Sequence, residues 1–284
     1  MAALVFGGCV IGLAPILARL TETGAAAGGF WRLLFAAPIL ALMTWRSDRG
    51  VRRPSRLVLI AGVMFALDIA FWHYGVRYTT VANATILTNL TPVIVTFVAW
   101  VFLRERPRAL FLLAVAIAVS GAAMMALARD GAGAVGLDPP LGDALSAGSA
   151  LWYAFYMLAV GIARKRESMG QVMVWSSAMG AACLLAIALA LDEPILPAGP
   201  AGWAACLGLG FVHIAGQGSI AWAMGRLPTA TASVVILVQP AVALALGWLL
   251  FAEAIGPLQG TGAIIALAGV ALSQWASRPK AASA

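Results

Sequence analysis

Asn89-Leu-Thr-Pro-Val-Ile-Val-Thr-Phe-Val-Ala-Trp-Val-Phe-Leu-Arg-Glu105 and Leu237-Val-Gln-Pro-Ala-Val-Ala-Leu-Ala-Leu-Gly-Trp-Leu-Leu-Phe-Ala-Glu253 are two copies of one pattern. Pro92 falls on Pro240, Trp100 on Trp248 and Glu105 on Glu253, an offset of 148 (240 less 92). Working outward, Gly121 falls on Gly269, Ala82 on Ala230, Ala84 on Ala232, Leu110 on Leu258 and Ile117 on Ile265, so residues 79–129 repeat as 227–277. Both copies are almost wholly apolar. A duplicated, odd-numbered set of membrane helices is an arrangement used mainly to move solutes across a bilayer.

Composition supports the membrane setting. The 284 residues are 62% hydrophobic and 10% charged, with a mean hydropathy of +0.95. Soluble domains carry about 25% charged residues, and a soluble fold could not hide this much apolar surface. A bilayer core needs roughly 20 apolar residues per helix. Ten segments meet that, at about 2–19, 25–45, 57–77, 80–103, 108–128, 142–163, 170–191, 201–224, 229–251 and 257–277. Backbone groups in lipid must bond within their own segment, so these are helices. The ten-residue alternation of a membrane barrel is missing from the sequence.

The net charge of +7 does not signal nucleic acid, because the basic residues sort by side. Arg46, Arg49, Arg52, Arg53 and Arg56 lie between spans 2 and 3. Arg104, Arg106 and Arg108 lie between spans 4 and 5, and Arg164, Lys165 and Arg166 between 6 and 7. Arg226, Arg278 and Lys280 follow on the same side. The other side holds Arg19, Arg77 and Arg129 with Glu22, Asp130, Asp138, Asp192 and Glu193. The positive-inside rule puts both termini in the cytoplasm. Five spans precede the Gly/Pro-rich connector 129–141 and five follow it, so the second copy enters the membrane from the opposite side. The expected fold is all-α and integral to the membrane: ten helices as inverted repeats over 1–128 and 142–277, with a cytoplasmic tail at 278–284.

Within the spans, each ionisable group is a site candidate because it is costly in lipid. Asp68 is central in span 3, with Trp72 one turn on and His73 beside it; His213 is central in span 8; Arg32 lies in span 2. Asp68 reads either as a site or as the structural partner of Arg32 or a nearby His. Thr85 and Asn89 precede Pro92, Trp152 and Tyr156 lie one turn apart in span 6, Gln217 is in span 8, and Gln239 adjoins Pro240. These residues can line one midplane cavity with aromatic faces, which also suit cations. Pro92 and Pro240 each remove a helix hydrogen bond near the midplane and are read as hinges. Glu105 and Glu253 read as interfacial anchors. Gly8-x-x-x-Gly12, Gly24-x-x-x-Gly28 and Gly256-x-x-x-Gly260 allow close helix approach. Cys9, Cys183 and Cys206 have neither metal-ligand nor disulfide spacing. No nucleotide-binding or metalloprotease motif is present, so the chain reads as a non-enzyme without cofactor or metal.

The same residues resemble a known family over nearly the whole chain. Phe30-Trp-Arg-Leu-Leu-Phe-Ala36, Phe65 through His73, Thr80 through Ile86, Gly142-Asp143, Trp152 through Tyr156 and the duplicated Pro-to-Glu helices look like the drug/metabolite transporter superfamily, in its EamA-type ten-helix branch. In span 1 the usual Trp-Gly-Ser is replaced by Val10-Ile-Gly-Leu-Ala-Pro15. The resemblance implies an alternating-access transporter of a bacterial inner membrane. Its cavity would lie between spans 1, 3, 4, 6, 8 and 9, with spans 5 and 10 outside. It is nearest the exporters of aromatic and other neutral amino acids. The expected partners are a small-molecule substrate (an amino acid or related metabolite), the lipid bilayer and protons as a candidate coupling ion, with a monomer or homodimer as the assembly and no nucleic acid. Drug cations or another metabolite are the alternative cargo; an intramembrane enzyme or a non-transporting scaffold is the remoter one.

Overall fold

A computed structural model describes residues 2–91, 93–94, 109–127, 137–164, 166–217, 219, 238–252 and 255–276. The helices are α1 (Ala2–Gly12), α2 (Ala14–Arg19), α3 (Ala25–Asp48), α4 (Arg56–Tyr78), α5 (Val81–Thr88), α6 (Ala109–Leu127), α7 (Pro139–Ala163), α8 (Met169–Ala190), α9 (Pro200–Phe211), a π-helical turn (Val212–Gln217), α10 (Val238–Phe251) and α11 (Pro257–Ala276). Each of the ten expected spans carries one or two of them, and no strand occurs among the described residues. Taken alone, α3, α4 and α8 are each long and apolar enough to cross a membrane.

Local signals start the helices. Ser55, Thr80, Asp138 and Ser168 accept from the backbone N–H three residues on, filling one of the orphan donors of a first turn. Pro139, Pro200 and Pro257 stand at first helical positions, where their missing N–H costs nothing. Span 1 breaks at Leu13, just ahead of Pro15.

Two helix pairs demonstrate the inversion. α6 packs on α11, and the crossing is built on the paired glycines. A Cβ on Gly121 would meet the backbone of Ala266 and Gly262; one on Gly269 would meet the backbone of Ala118 and Ala114. Each contact becomes the other under the offset of 148. Since 118 faces 269 while 121 faces 266, the two helices run antiparallel. α3 and α8 cross in the same sense, with Gly29 against Leu184 and Leu33 against Gly180. Three further pairs of contacts answer one another in the same way: α4 on α7 answers α9 on α2, α4 on α8 answers α9 on α3, and α5 on α7 answers α10 on α1.

The small-residue spacings of the sequence turn out unequal. Gly12 lies against Val242, Gly24 against Glu193 and Gly28 against Thr21 and Thr23. Among the described residues Gly256 has no neighbour within 4 Å of an added Cβ and Gly260 only Ile255, so this third motif marks no close approach there. Spacing alone does not say which face meets a neighbour.

Spans 2 and 3 align with spans 7 and 8 at an offset of 144, the distance from Ala25 to Met169 and from Arg56 to Pro200. Burial agrees: Arg32, Leu33, Ala36, Leu40 and Thr44 are buried, as are Ser176, Ser177, Gly180, Leu184 and Ala188. The alignment exposes a duplicated strap. Trp31 donates its indole N–H to the Ile195 carbonyl at 2.8 Å, and Trp175, its mate, donates to the Arg52 carbonyl at 2.7 Å. Each strap ties the start of a span to a loop of the other repeat, on opposite membrane faces. Acids reinforce both ends. Glu193 accepts from Ala26 and Ala27 N–H at 3.3 and 2.9 Å and from the Tyr74 hydroxyl; Asp48 accepts from the Ser168 hydroxyl. Both carboxylates sit where a helix N-terminus favours negative charge. Trp31→Phe and Trp175→Phe keep the rings and lose one hydrogen bond each, about 1 kcal/mol. Thermal unfolding in detergent should show two similar falls in Tm; a fall in only one variant would break the equivalence.

Candidate functional site

The first half of span 4 carries the local signature of its proline. A proline at 92 offers no N–H to the Thr88 carbonyl. That carbonyl instead accepts the Thr91 hydroxyl at 2.7 Å, and α5 ends at Thr88 with a turn through Asn89 and Leu90. Pro92 itself, Glu105 and Glu253 lie outside the described residues. Pro240 is the third residue of α10, and the chain from 220 to 237 lies outside the described residues.

The polar residues of α3, α4, α7, α8 and the π-helical turn converge into one hub. Asp68 is buried and accepts the Ser149 hydroxyl at 2.7 Å. Arg32 is buried, with its guanidinium 5.8 Å from the Trp72 ring centre, and is an electrostatic neighbour of Asp68 and Tyr153. The two charges do not close into an ion pair. Phe65 stacks on Tyr156 at 4.6 Å and meets His213 at 5.7 Å, and Tyr153 stacks on Tyr156 at 5.7 Å. His213 Nε2 lies 3.2 Å from the Ser177 hydroxyl. The π-helical turn that carries His213 is itself unusual, since such turns are rare and concentrate at functional sites.

Of the residues singled out in the sequence, Asp68, Trp72, Tyr156 and His213 meet here. His73 sits beside Trp72, edge to face at 5.2 Å, and is fully buried. Thr85 and Asn89 turn inward on their own helix: the Thr85 hydroxyl donates to the Val81 carbonyl at 2.7 Å and the Asn89 amide to the Thr85 carbonyl at 2.7 Å. Trp152 lies against Phe71 and Phe155. Gln239 is half-buried, with its backbone carbonyl beside Gly12. Gln217 ends the π-helical turn, and its side chain lies outside the described residues. Sequence reading singled out Arg32 as a costly charge inside a span without giving it a place in the cavity, and left out Ser177. The charge of Arg32 inside a span is the signal that points to it.

A second buried network differs in kind. Asp143 accepts from Thr79 at 2.7 Å and from Asn83 at 3.2 Å, and Gln259 donates to the Asn83 side-chain oxygen at 2.8 Å. It binds the α4–α5 junction, α7 and α11 with mutually bonded partners. An open pocket of about 310 Å³ lies elsewhere, on the basic face, lined by Asp48, Arg52, Arg53, Arg166, Glu167, Ser168 and Gln171.

Comparison with known proteins follows the same architecture. The pattern of the EamA-like transporter family matches residues 1–127 and again 140–275; that of solute carrier family 35 matches 68–194. An uncharacterized transporter of Archaeoglobus fulgidus is 26% identical over 273 residues, 96% of this chain and 95% of its own length. The pseudopaline exporter CntI of Pseudomonas aeruginosa is 26% identical over 220 residues, 77% of this chain and 75% of its own. A crystal structure superposes with a TM-score of 0.65, covering 96% of this chain and 98% of the other; at 18% identity the likeness is one of fold.

Proposed function

We infer the cargo from a firm premise: the chain belongs to the EamA-like transporter family and is a multi-pass membrane transporter, and the solute it exports or exchanges is a small amphipathic metabolite, foremost an amino acid, aromatic ones included. The observation that carries this reading is Asp68. It is a carboxylate buried at the middle of a span, with one described hydrogen bond, from Ser149. A carboxylate can accept about four, so capacity remains for an ammonium group. Trp72, Phe65 and Tyr156 supply the apolar walls for the rest of the solute. The same features favour a second reading, a drug cation held by Asp68 and the ring faces.

Transport proceeds by alternating access between the inverted repeats, in a bacterial inner membrane with both termini cytoplasmic, the orientation favoured by the loop charges. Pro92 and Pro240 serve as the hinges, and His73, Thr85, Asn89, Trp152, Gln217 and Gln239 complete the cavity wall in other states of the cycle. Purified protein in liposomes loaded with labelled amino acids should release or exchange them saturably, above empty liposomes. Pro92→Ala and Pro240→Ala should slow that exchange without reducing insertion. No movement of any amino acid or related amine would overturn the amino-acid reading, and movement of lipophilic cations alone would select the second one.

A further inference from the structure

Among the described residues, three buried side chains in or beside the hub carry nitrogen atoms without a hydrogen-bond partner: Arg32, His213 and His73, the last at both ring nitrogens. Arg32 is 5% exposed, and its Nε–H finds no acceptor. His213 is 3% exposed; Nε2 faces Ser177, and Nδ1 has no partner. The two are electrostatic neighbours. Asp68, which could have closed on Arg32, takes its hydrogen bond from Ser149. Buried polar atoms are normally satisfied, and each exception asks for a reason. The Asn83–Asp143–Gln259 network, equally buried, shows how this chain ties such groups down when they serve the fold.

The two-fold relation supplies an internal control. At the offset of 144, Arg32 corresponds to Ser176 and Asp68 to Val212. Ser176 donates to the Met173 carbonyl of its own helix, and Val212 is apolar and buried. The second repeat therefore builds the same helix crossings with no charge at either place. The charges are additions to the fold, confined to one repeat and gathered at one point.

We propose that Arg32 is the carboxylate anchor of the transported solute, with His213 Nδ1 as its second contact. The guanidinium fork matches a carboxylate in geometry, and the group already lies over the Trp72 ring. The solute's side chain then lies along Trp72, Phe65 and Tyr156, and its ammonium reaches Asp68. The cargo class narrows from amphipathic amines to amino carboxylates. This rests on the transporter reading above and adds which end of the solute meets which charge.

The test uses three probes in proteoliposomes: phenylalanine, phenylalanine amide and phenethylamine. The wild-type protein should prefer phenylalanine by at least about ten-fold, the worth of one charge-assisted hydrogen bond. In Arg32→Gln the preference should collapse while phenethylamine still moves, a change of ranking that a merely structural role would not produce. Arg32→Lys retains the buried charge should Arg32→Gln fail to insert; it should raise the KM for phenylalanine by more than that for phenethylamine. His213→Ala should weaken the preference in part. Equal or reversed ranking in the wild type, or an unchanged ranking in both Arg32 variants, overturns the anchor and leaves the transporter reading standing. A wild type that moves none of the three overturns the amino-acid reading and the anchor with it.

Discussion

Gly121→Ala and Gly269→Ala should each prevent α6 and α11 from closing, and cost the folded chain at least about 3 kcal/mol, the upper range of overpacking. The reason is the identity of the atoms in the way. A Cβ at Gly121 would stand 2.6 Å from the Gly262 carbonyl oxygen and 2.8 Å from Ala266 Cα; at Gly269 it would stand 2.6 Å from Ala118 Cα and 2.8 Å from the Ala114 oxygen. These are backbone atoms, and no rotamer change moves them. The helices must separate, and separation forfeits the close packing that holds membrane helices together where no hydrophobic driving force exists between them. Total stabilities are commonly about 5–15 kcal/mol, so each change is a large fraction. Gly256→Ala is the control, with no atom of the described residues within 4 Å of the added methyl. The double variant should cost clearly less than the two single costs together, since helices already apart meet no second clash. Thermal unfolding monitored by size-exclusion chromatography in detergent reads all four. A Tm for Gly121→Ala equal to that of Gly256→Ala would mean that this crossing is looser than its geometry.

That crossing also shows what the sequence makes legible. The Pro-to-Glu copies and the sorted loop arginines reveal two inverted five-helix repeats, because duplication and charge asymmetry are one-dimensional signals. The offset of 148 is true for α6 and α11, whereas spans 2 and 3 follow 144. A shift of four residues is close to one helical turn, so both registers bury the same face, and periodicity cannot separate them. The helix starts decide it, and the partners of Trp31 and Trp175 agree. The same blindness applies to the site. Asp68, Trp72, Tyr156 and His213 were readable as intramembrane polar or aromatic groups, and they meet. Thr85 and Asn89 share a helix face with Pro92, yet a hydroxyl or amide in lipid can be satisfied by its own preceding turn, as both are here. Arg32 was visible as a charge, but whether it faced Asp68 as a closed pair or stood open beside it depends on where Ser149 lies.

Asp68→Asn should lower phenylalanine exchange by at least about a hundred-fold, because an amide cannot form the charge-assisted bond to an ammonium that a buried carboxylate does, a difference near 3 kcal/mol. It should also destabilise the protein, for Arg32 then remains in the span with no opposite charge near it. Removing one partner of a closed buried pair costs about 3–5 kcal/mol. Here the charges are neighbours without contact, so the expected loss is smaller, about 1–3 kcal/mol. The two effects separate in Arg32→Gln/Asp68→Asn, which carries no buried charge at the hub. Stability should return to near the wild-type value, as replacement of whole buried pairs often allows, while phenylalanine exchange stays lost. Ser149→Ala tests position rather than charge: it frees the carboxylate from its one described hydrogen bond and should reduce exchange far less than Asp68→Asn does. If the double variant recovered both stability and exchange, Asp68 would be no more than the counter-charge of Arg32, and the solute's ammonium would have to be held elsewhere.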